Sequence, residues 1–372
     1  MNELVYFKNN YDYVIVGAGL TGSILAYELT KLGKNVAVVE KRDHVGGNLY
    51  TKNKLGINIH KYGPHVFHTT EKWVWDYVNQ FATFKPYVQR TYANYHNKLY
   101  SLPFNMNTYH EVFEDNSAAC LDKLAAEIKK YQKKKPRNLE EQALSLVGPS
   151  IYNILVKGYT EKQWGKSCKK LSPELIKRLP LRYDYNNNYF NDKYQGMPQG
   201  GYTQIFEKLL RGVDVFLEFD YDIRKDEIKG KQVIHTGMID KYFNYKYGDL
   251  EYRSLRFEET CWPCSQFQKY AVVNYTDKDI PYTRIIEHKH FESAGTRYTF
   301  FTKEYPVKYV RGMEAYYPIN NKKTEKKYQK YLKLAEKEGI IFCGRLGAYR
   351  YLDMDDAIIA AFELLNKLKE AN

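Results

Sequence analysis

Three glycines and an acid carry the first recognisable chemistry in the chain. Gly17, Gly19 and Gly22 stand as G-x-G-x-x-G directly behind the apolar run 13–16, and Glu40 closes a second apolar run, 36–39. Gly17 permits a tight turn, Gly19 lets backbone approach a pyrophosphate, and Gly22 lets a helix lie close on a strand. The N-terminus of the helix that the glycines open would offer its free N–H groups and partial positive charge to that pyrophosphate. Glu40 lies at the spacing where a carboxylate can accept from a ribose hydroxyl. The pattern predicts a dinucleotide site, and at this point it leaves the dinucleotide open.

Two other sets of side chains invite chemistry and do not support it. His60, His65 and His68 form the densest polar-aromatic cluster, but Gly63-Pro64 lies between them and no carboxylate joins them. They share no helix face, so a tight loop against a bound ring is expected there rather than a metal. Cys261-Trp-Pro-Cys264 has the C-x-x-C spacing within strand-like, Arg-rich sequence, with no helix start behind it to lower a thiol pKa. No second ligand pair stands at zinc spacing. Five cysteines, an odd number, argue against a disulfide framework and fit a reducing compartment.

Composition narrows the class. A chain of 372 residues is long enough for two or three subdomains. With 44% hydrophobic residues it reads as soluble and globular, and no run approaches the ~20 apolar residues of a membrane span. The opening MNELVYFKNN lacks the features of a signal peptide, so a cytoplasmic protein is expected. Net charge is +13, from 57 Lys and Arg against 44 Asp and Glu, concentrated in runs such as 129–137 and 322–333. The 37 tyrosines beside that charge raise a nucleic-acid reading. No recognisable binding module interleaves the two, however, and a polyanionic small substrate accounts for a positive field equally well.

The elements that must position these residues follow from periodicity. Residues 11–48 read as β-α-β. A helix is expected over 71–81, strands over 87–100 with Asn97 in the turn, and helices from 107 to about 171. A Gly/Asn/Pro-rich loop spans 189–201, a helix 202–211, and strands 213–220 and 233–236 return to the nucleotide sheet. Stretches 252–260, 269–274, 283–288 and 298–302 are strand-like with short connections, which indicates an antiparallel sheet. A charged helix covers 324–338, a strand 340–345 ends in Gly344-Arg345, and a helix closes the chain over 354–369.

Gly46-Gly47, just past the ribose acid, resembles the flavoprotein family of glutathione reductase and the amine oxidases, which favours FAD over NAD. The expected class is α/β: a Rossmann-like FAD-binding domain of that type with a helical insertion domain and an antiparallel β-sheet domain. In that reading 1–82, 196–241 and 336–372 build the FAD domain, and 107–178 the helical, substrate-side domain with a mobile loop at 168–181. Residues 83–106, 179–195 and 242–335 build the sheet domain.

Longer blocks then agree on one family. GPHVFHT (63–69), YTEKQWG (159–165), RLPLRYDYNNNYF (178–190), QGMPQGGYT (195–203), YTRIIEHKHF (282–291) and GRLGAYRYLDMD (344–355) resemble bacterial UDP-galactopyranose mutase. The resemblance implies interconversion of UDP-galactopyranose and UDP-galactofuranose with FAD, active when reduced, for cell-surface glycans. In that family N5 of the reduced flavin attacks the anomeric carbon as UDP departs. It further implies a cellular reductant such as NAD(P)H and a homodimer.

Matched by motif, Arg178 and Arg284 clamp the diphosphate, with Arg178 on the mobile loop. Tyr159 stacks on uracil beside Trp164, and Asn274 lies on the nucleotide side. Tyr189, Tyr316 and Tyr351 donate to the diphosphate, the choice between Tyr316 and Tyr317 being open by one residue. Asp353 is an acid of the cleft, and His65 and His68 flank the flavin, His68 tuning it. The cofactor set is Gly17, Gly19, Leu20, Gly22, Glu40, Lys41, Gly47, Asn48, His65, Gly344, Arg345, Tyr351, Asp353 and Met354. Two other classes share the N-terminal motif: an amine-oxidase-like FAD enzyme, and a flavoprotein that binds UDP-sugars without turnover.

Overall fold

Residues 36–39 and the middle of the first strand show no polar alternation, because both faces of their sheet are covered. Val36, Ala37, Val38 and Val39 are all buried, as are Val14 and Ile15. Such continuous apolar runs belong to parallel sheets sandwiched between layers. The computed structural model describes residues 10–176, 180–292 and 295–370. In it five strands run in the order Asp214–Phe216, Val36–Val39, Tyr11–Val16, Gly230–His235, Ile340–Phe342, and every neighbouring pair is parallel. Helix Leu20–Lys31 packs against helix Met354–Glu370 on one face, with Leu25, Leu29, Ile358, Ala361 and Leu365 in one apolar cluster. Gly22 lets the first helix lie close on its own strand and turn: a Cβ there would stand 2.0 Å from the Gly17 carbonyl oxygen and 3.2 Å from the Ile15 side chain.

The expected strand 213–220 is shorter, because the chain turns at Phe219 into the helical turn Tyr221–Arg224. The strand at 340 likewise stops at Phe342, and Gly344 opens a helical turn, Gly344–Gly347.

The second sheet has seven strands, in the order Tyr317–Pro318, Tyr252–Trp262, Thr299–Lys308, Arg284–Glu287, Val272–Tyr275, Thr91–Tyr95, Lys98–Leu102. It is antiparallel except where Val272–Tyr275 runs parallel to Thr91–Tyr95. The latter strand arrives with its own hairpin from far earlier in the chain, so no short turn dictates its direction. That hairpin turns at His96 and Asn97, both with positive φ. Phe84–Pro86 pairs instead with Tyr194–Pro198, which also pairs with Phe67–Thr69 in a separate three-stranded sheet.

The helical region begins at Asn105, whose side chain accepts from the backbone N–H of Asn107 and Thr108 and caps Met106–Phe113. Ala119–Tyr131 follows, burying Cys120 and Leu124 and leaving Ala125 exposed. Leu139–Ile151 breaks at Gly148 (φ 70) before Pro149. Glu127 reaches across from the preceding helix and accepts from the Ser150 N–H (3.0 Å) and hydroxyl, so it caps the restarted helix. One wide turn, Tyr152–Lys157, then leads into Gly158–Trp164.

Two histidines fasten the hairpin Thr51–Lys54/Ile57–His60 to the large sheet. The backbone N–H of His60 donates to Nδ1 of His288 (3.3 Å), whose Nε2 pairs with Thr302 Oγ1 (2.8 Å). Burial holds His60 down at about 4 and His288 well below its ordinary value near 6.5. Both are therefore neutral in the fold, while the unfolded chain takes up protons below pH ~6.5. Stability from these groups is complete above that value and is lost as pH falls toward 4, by about 1.36 kcal/mol per pH unit for each histidine. Thermal unfolding from pH 7 to 4.5 should show this decline, and His288→Asn should flatten it. An unchanged slope in that variant refutes the assignment.

Candidate active site

A cavity of about 240 Å³, larger than the second one described below, lies at the carboxyl ends of the parallel strands, where ligands bind in open α/β sheets. Gly17 forms its floor with φ 106, and a Cβ there would stand 2.1 Å from Thr236 Oγ1, a hydroxyl held on the Val16 carbonyl. Gly19 faces Gly47: a Cβ on Gly47 would reach within 2.9 Å of the Gly19 Cα. No side chain caps helix Leu20–Lys31, so its first N–H groups can serve an anion. Glu40 is buried; one oxygen accepts from the Ala18 N–H (2.9 Å), the other from the Arg42 N–H (3.0 Å). Each carboxylate oxygen keeps a second acceptor site, so Glu40 can shape the glycine turn and still receive a ribose hydroxyl.

Lys41 and Arg42 both pair with Glu314, at 2.7 and 2.9 Å, across the cavity mouth. Arg42 also lies over the Tyr62 ring at 4.4 Å. Arg345 donates to the Leu352 carbonyl (2.6 and 3.2 Å) and sits 5.0 Å from the Tyr351 ring centre. Nδ1 of His65 finds no hydrogen-bond partner among the described residues. Burial, aided by Arg345, His60 and Arg284, pushes this histidine down to about 3. The imidazole is therefore neutral throughout the working range, with one nitrogen waiting for a ligand.

The smaller cavity, about 100 Å³, is lined by Tyr159, Tyr189, Asn274 and Arg284 together with Gln89, Thr91 and Phe190. Arg284 donates through Nε (2.9 Å) and Nη2 (2.7 Å) to one oxygen of Glu304, which is almost fully buried. Burial disfavours the guanidinium charge, but Glu304 outweighs it and raises the Arg284 pKa further. Asn274 Oδ1 and Gln89 Oε1 are buried acceptors without a protein donor. This cavity can thus take an anion that also carries hydroxyl or N–H donors.

One short segment divides the cavities. His65 faces the larger, while its neighbours Pro64 and Val66 face the smaller.

All of Gly17, Gly19, Leu20, Gly22, Glu40, Lys41, Gly47, Asn48, His65, Tyr316, Gly344, Arg345, Asp353 and Met354 line the larger cavity. Trp164, Tyr351 and His68 line neither. Trp164 meets Tyr317 edge-on at 5.6 Å, and Tyr351 lies 6.2 Å from the same ring. Thus of the two adjacent tyrosines Tyr316 faces the large cavity, while Tyr317 joins Trp164 and Tyr351. His68 pairs with Asp192 (2.9 Å) and stacks on Phe190 at 3.7 Å, so it reaches the smaller cavity only through that ring. Arg178 lies outside the described residues.

Sequence reasoning missed Glu304, Gln89 and the Arg42–Glu314 pair. Glu304 faces Arg284 by cross-strand register, which spacing along the chain does not reveal. Gln89 stands two residues before Thr91, and its Nε2 donates to that hydroxyl (3.0 Å); only its burial marks it.

Fold and site together define a flavoprotein-type nucleotide-binding enzyme with a second, arginine-lined cavity beside the cofactor site. Comparisons with known proteins narrow this. The family model for UDP-galactopyranose mutase matches residues 154–351, and that for an NAD(P)-binding Rossmann-like domain matches 15–81. A probable UDP-galactopyranose mutase of Klebsiella pneumoniae is 39% identical over 363 residues, 95% of this chain and 94% of that one. A dTDP-fucopyranose mutase of Escherichia coli is 37% identical over 365 residues, 94% of this chain and 96% of that one. In fold, the chain resembles the crystal structure of reduced UDP-galactopyranose mutase with a TM-score of 0.80 at 17% identity, covering 97% and 94% of the two chains. It resembles putrescine oxidase more distantly, with a TM-score of 0.56 at 12% identity over 97% and 99%. The chain belongs to the UDP-galactopyranose mutase family. It is an isomerase of the flavoprotein type, and its cofactor is FAD.

The glycine cradle and the waiting His65 nitrogen suit that cofactor. Gly17→Ala forces a Cβ onto Thr236 Oγ1 at a φ that L residues rarely adopt. It should lower FAD affinity by at least about tenfold, or ~1.4 kcal/mol, and yield protein that purifies largely colourless. Wild-type flavin content in that variant would contradict the placement of the pyrophosphate turn.

Proposed function

We propose that the chain interconverts UDP-galactopyranose and UDP-galactofuranose, supplying galactofuranose for cell-surface glycans. The observation that carries this reading is Arg284, charged and held by buried Glu304 in a tyrosine-lined cavity one segment away from the flavin site. Such a site answers a diphosphate beside a cofactor; it has no purpose for a neutral amine.

In the reaction the bond from the anomeric carbon to the UDP oxygen breaks, ring oxygen O5 is exchanged for O4, and the UDP bond re-forms, with no net oxidation. Bound FAD in its reduced form supplies the nucleophile, N5, that makes the anomeric carbon exchangeable. The chain's residues do the rest. Arg284, with Arg178 by motif, meets the charge that develops on the diphosphate as UDP leaves. Tyr159 offers a ring to uracil near Trp164, and Asn274 offers an unmatched acceptor to the nucleotide-sugar. Tyr189 lines the same cavity as Arg284 and offers a hydroxyl to the diphosphate; Tyr316 and Tyr351 carry that role by motif only, since Tyr316 and Asp353 line the larger cavity and Tyr351 lies beside Tyr317. His65 keeps a neutral nitrogen at the flavin, and His68 steadies the same segment through Phe190.

The family supports a homodimer and reduction by a cellular donor such as NAD(P)H. All five cysteines are free thiols, which supports a cytoplasmic setting.

The test is anaerobic. The protein is reduced with dithionite, given UDP-galactofuranose, and the pyranose is followed by chromatography, with the dTDP-fucose pair offered in parallel. Conversion of the UDP sugar is expected. No conversion, or peroxide released from an amine, would overturn the reading. Arg284→Ala and Arg178→Ala should each lower kcat/KM by about 10²–10³ while flavin content survives. Unchanged turnover in either removes that arginine from the clamp.

A further inference from the structure

Lys162 takes no part in the chemistry above, yet its ammonium is fully committed. Half-buried, its Nζ donates to the backbone carbonyls of Tyr275 (2.7 Å), Ile280 (2.9 Å) and Tyr282 (3.0 Å). An ammonium has three N–H donors and no acceptor, so the whole donor set goes to one target. That target is the loop joining strands Val272–Tyr275 and Arg284–Glu287, whose ends carry Asn274 and Arg284. Lys162 itself lies on helix Gly158–Trp164, three residues after Tyr159 and two before Trp164. One side chain therefore ties the element bearing two aromatic site residues to the element bearing the polar ones.

Gly158 makes the same contact closer still. A Cβ there would stand 2.1 Å from the Thr276 carbonyl oxygen and 3.4 Å from the Lys278 N. Residues 158 and 162 are one helical turn apart and share a face. The helix therefore lies backbone-to-backbone on the loop at Gly158 and is bolted to it at Lys162.

The placement is costly. Burial pushes the Lys162 pKa down to about 8, with Asp277 the one carboxylate that raises it. Asp277 is engaged elsewhere, by the His96 N–H (2.8 Å) and ring (3.1 Å). Arg253, from strand Tyr252–Trp262, donates to the carbonyls of Gln163 (2.8 Å) and Lys162 (3.3 Å) and ties the same helix to that strand.

We propose that Lys162 is a positioning residue for the isomerisation: with Gly158, it sets the register between the Tyr159–Trp164 helix and the Asn274–Arg284 hairpin, so that nucleotide and diphosphate are gripped together. The proposal rests on the nucleotide-sugar reading of the smaller cavity.

Lys162→Met keeps the aliphatic stem and removes the three donors. KM for UDP-galactofuranose and Kd for UDP, titrated onto the FAD-loaded protein, should rise together by at least about tenfold, with kcat changed far less and flavin content unchanged. Lys162→Arg, which restores charged donors, should recover part of the loss. Gly158→Ala lifts the helix from the loop and should reproduce the KM effect. The double variant should be no worse than the worse single, since both act through one contact. A lower melting temperature with unchanged KM and UDP affinity would assign Lys162 a purely structural role and overturn the proposal. Additive effects of the two substitutions would overturn it as well. If Lys162→Met fails to retain FAD, Gly158→Ala and Lys162→Arg decide the matter by the same readouts. A wild-type enzyme that cannot turn over the sugar defeats the functional reading instead, and the UDP titrations still decide the clamp.

Discussion

A carboxylate withdrawn from water must be answered by a charge, and in this molecule Arg284 answers Glu304. Removing one partner of such a pair leaves an uncompensated charge, so the sheet has to deliver both residues at once. It does so by register: Arg284 and Glu304 stand directly across the antiparallel ladder. Neighbouring backbone lies against the pair at van der Waals distance. Gly63, at φ 103, lies where a Cβ would come within 3.4 Å of the Glu304 carboxylate and 3.6 Å of the Arg284 guanidinium. The pair thus ties the strand register to the polarity of the smaller cavity.

The nucleotide sheet solves a different problem, which is to bring backbone close to a large ligand. Its glycines act as clearances: Gly17 against Thr236, Gly19 against Gly47, and Gly344 against Thr21 and Thr236. Thr236 follows the strand Gly230–His235, and Gly344 comes from the far C-terminal part of the chain. The cradle closes only when segments far apart in sequence reach the same strand ends.

How much of this was legible in the sequence depended on whether the signal was local. The β-α-β unit could be read because strand length, glycine spacing and the closing acid all lie within forty or so consecutive positions. The helix at 322–338 and the turn at His96-Asn97 were local too. Glu304 could not be found, because nothing along the chain distinguishes it from an ordinary strand acid; only pairing with another strand gives it a role. The same limit hid the parallel run of Val272–Tyr275 beside Thr91–Tyr95. Neighbouring tyrosines 316 and 317 face opposite directions in an extended chain, so motif matching alone left them interchangeable. Arg42 and Lys41 show the reverse case: the motif singled out Lys41, and the fold binds both to Glu314.

The segment from Pro64 to Val66 is a partition one backbone thick, with alternate side chains on its two sides. A partition of that kind is a shared boundary condition. A substitution at Pro64, His65 or Val66 therefore reshapes the wall of both cavities at once, and neither lining can be altered there independently of the other.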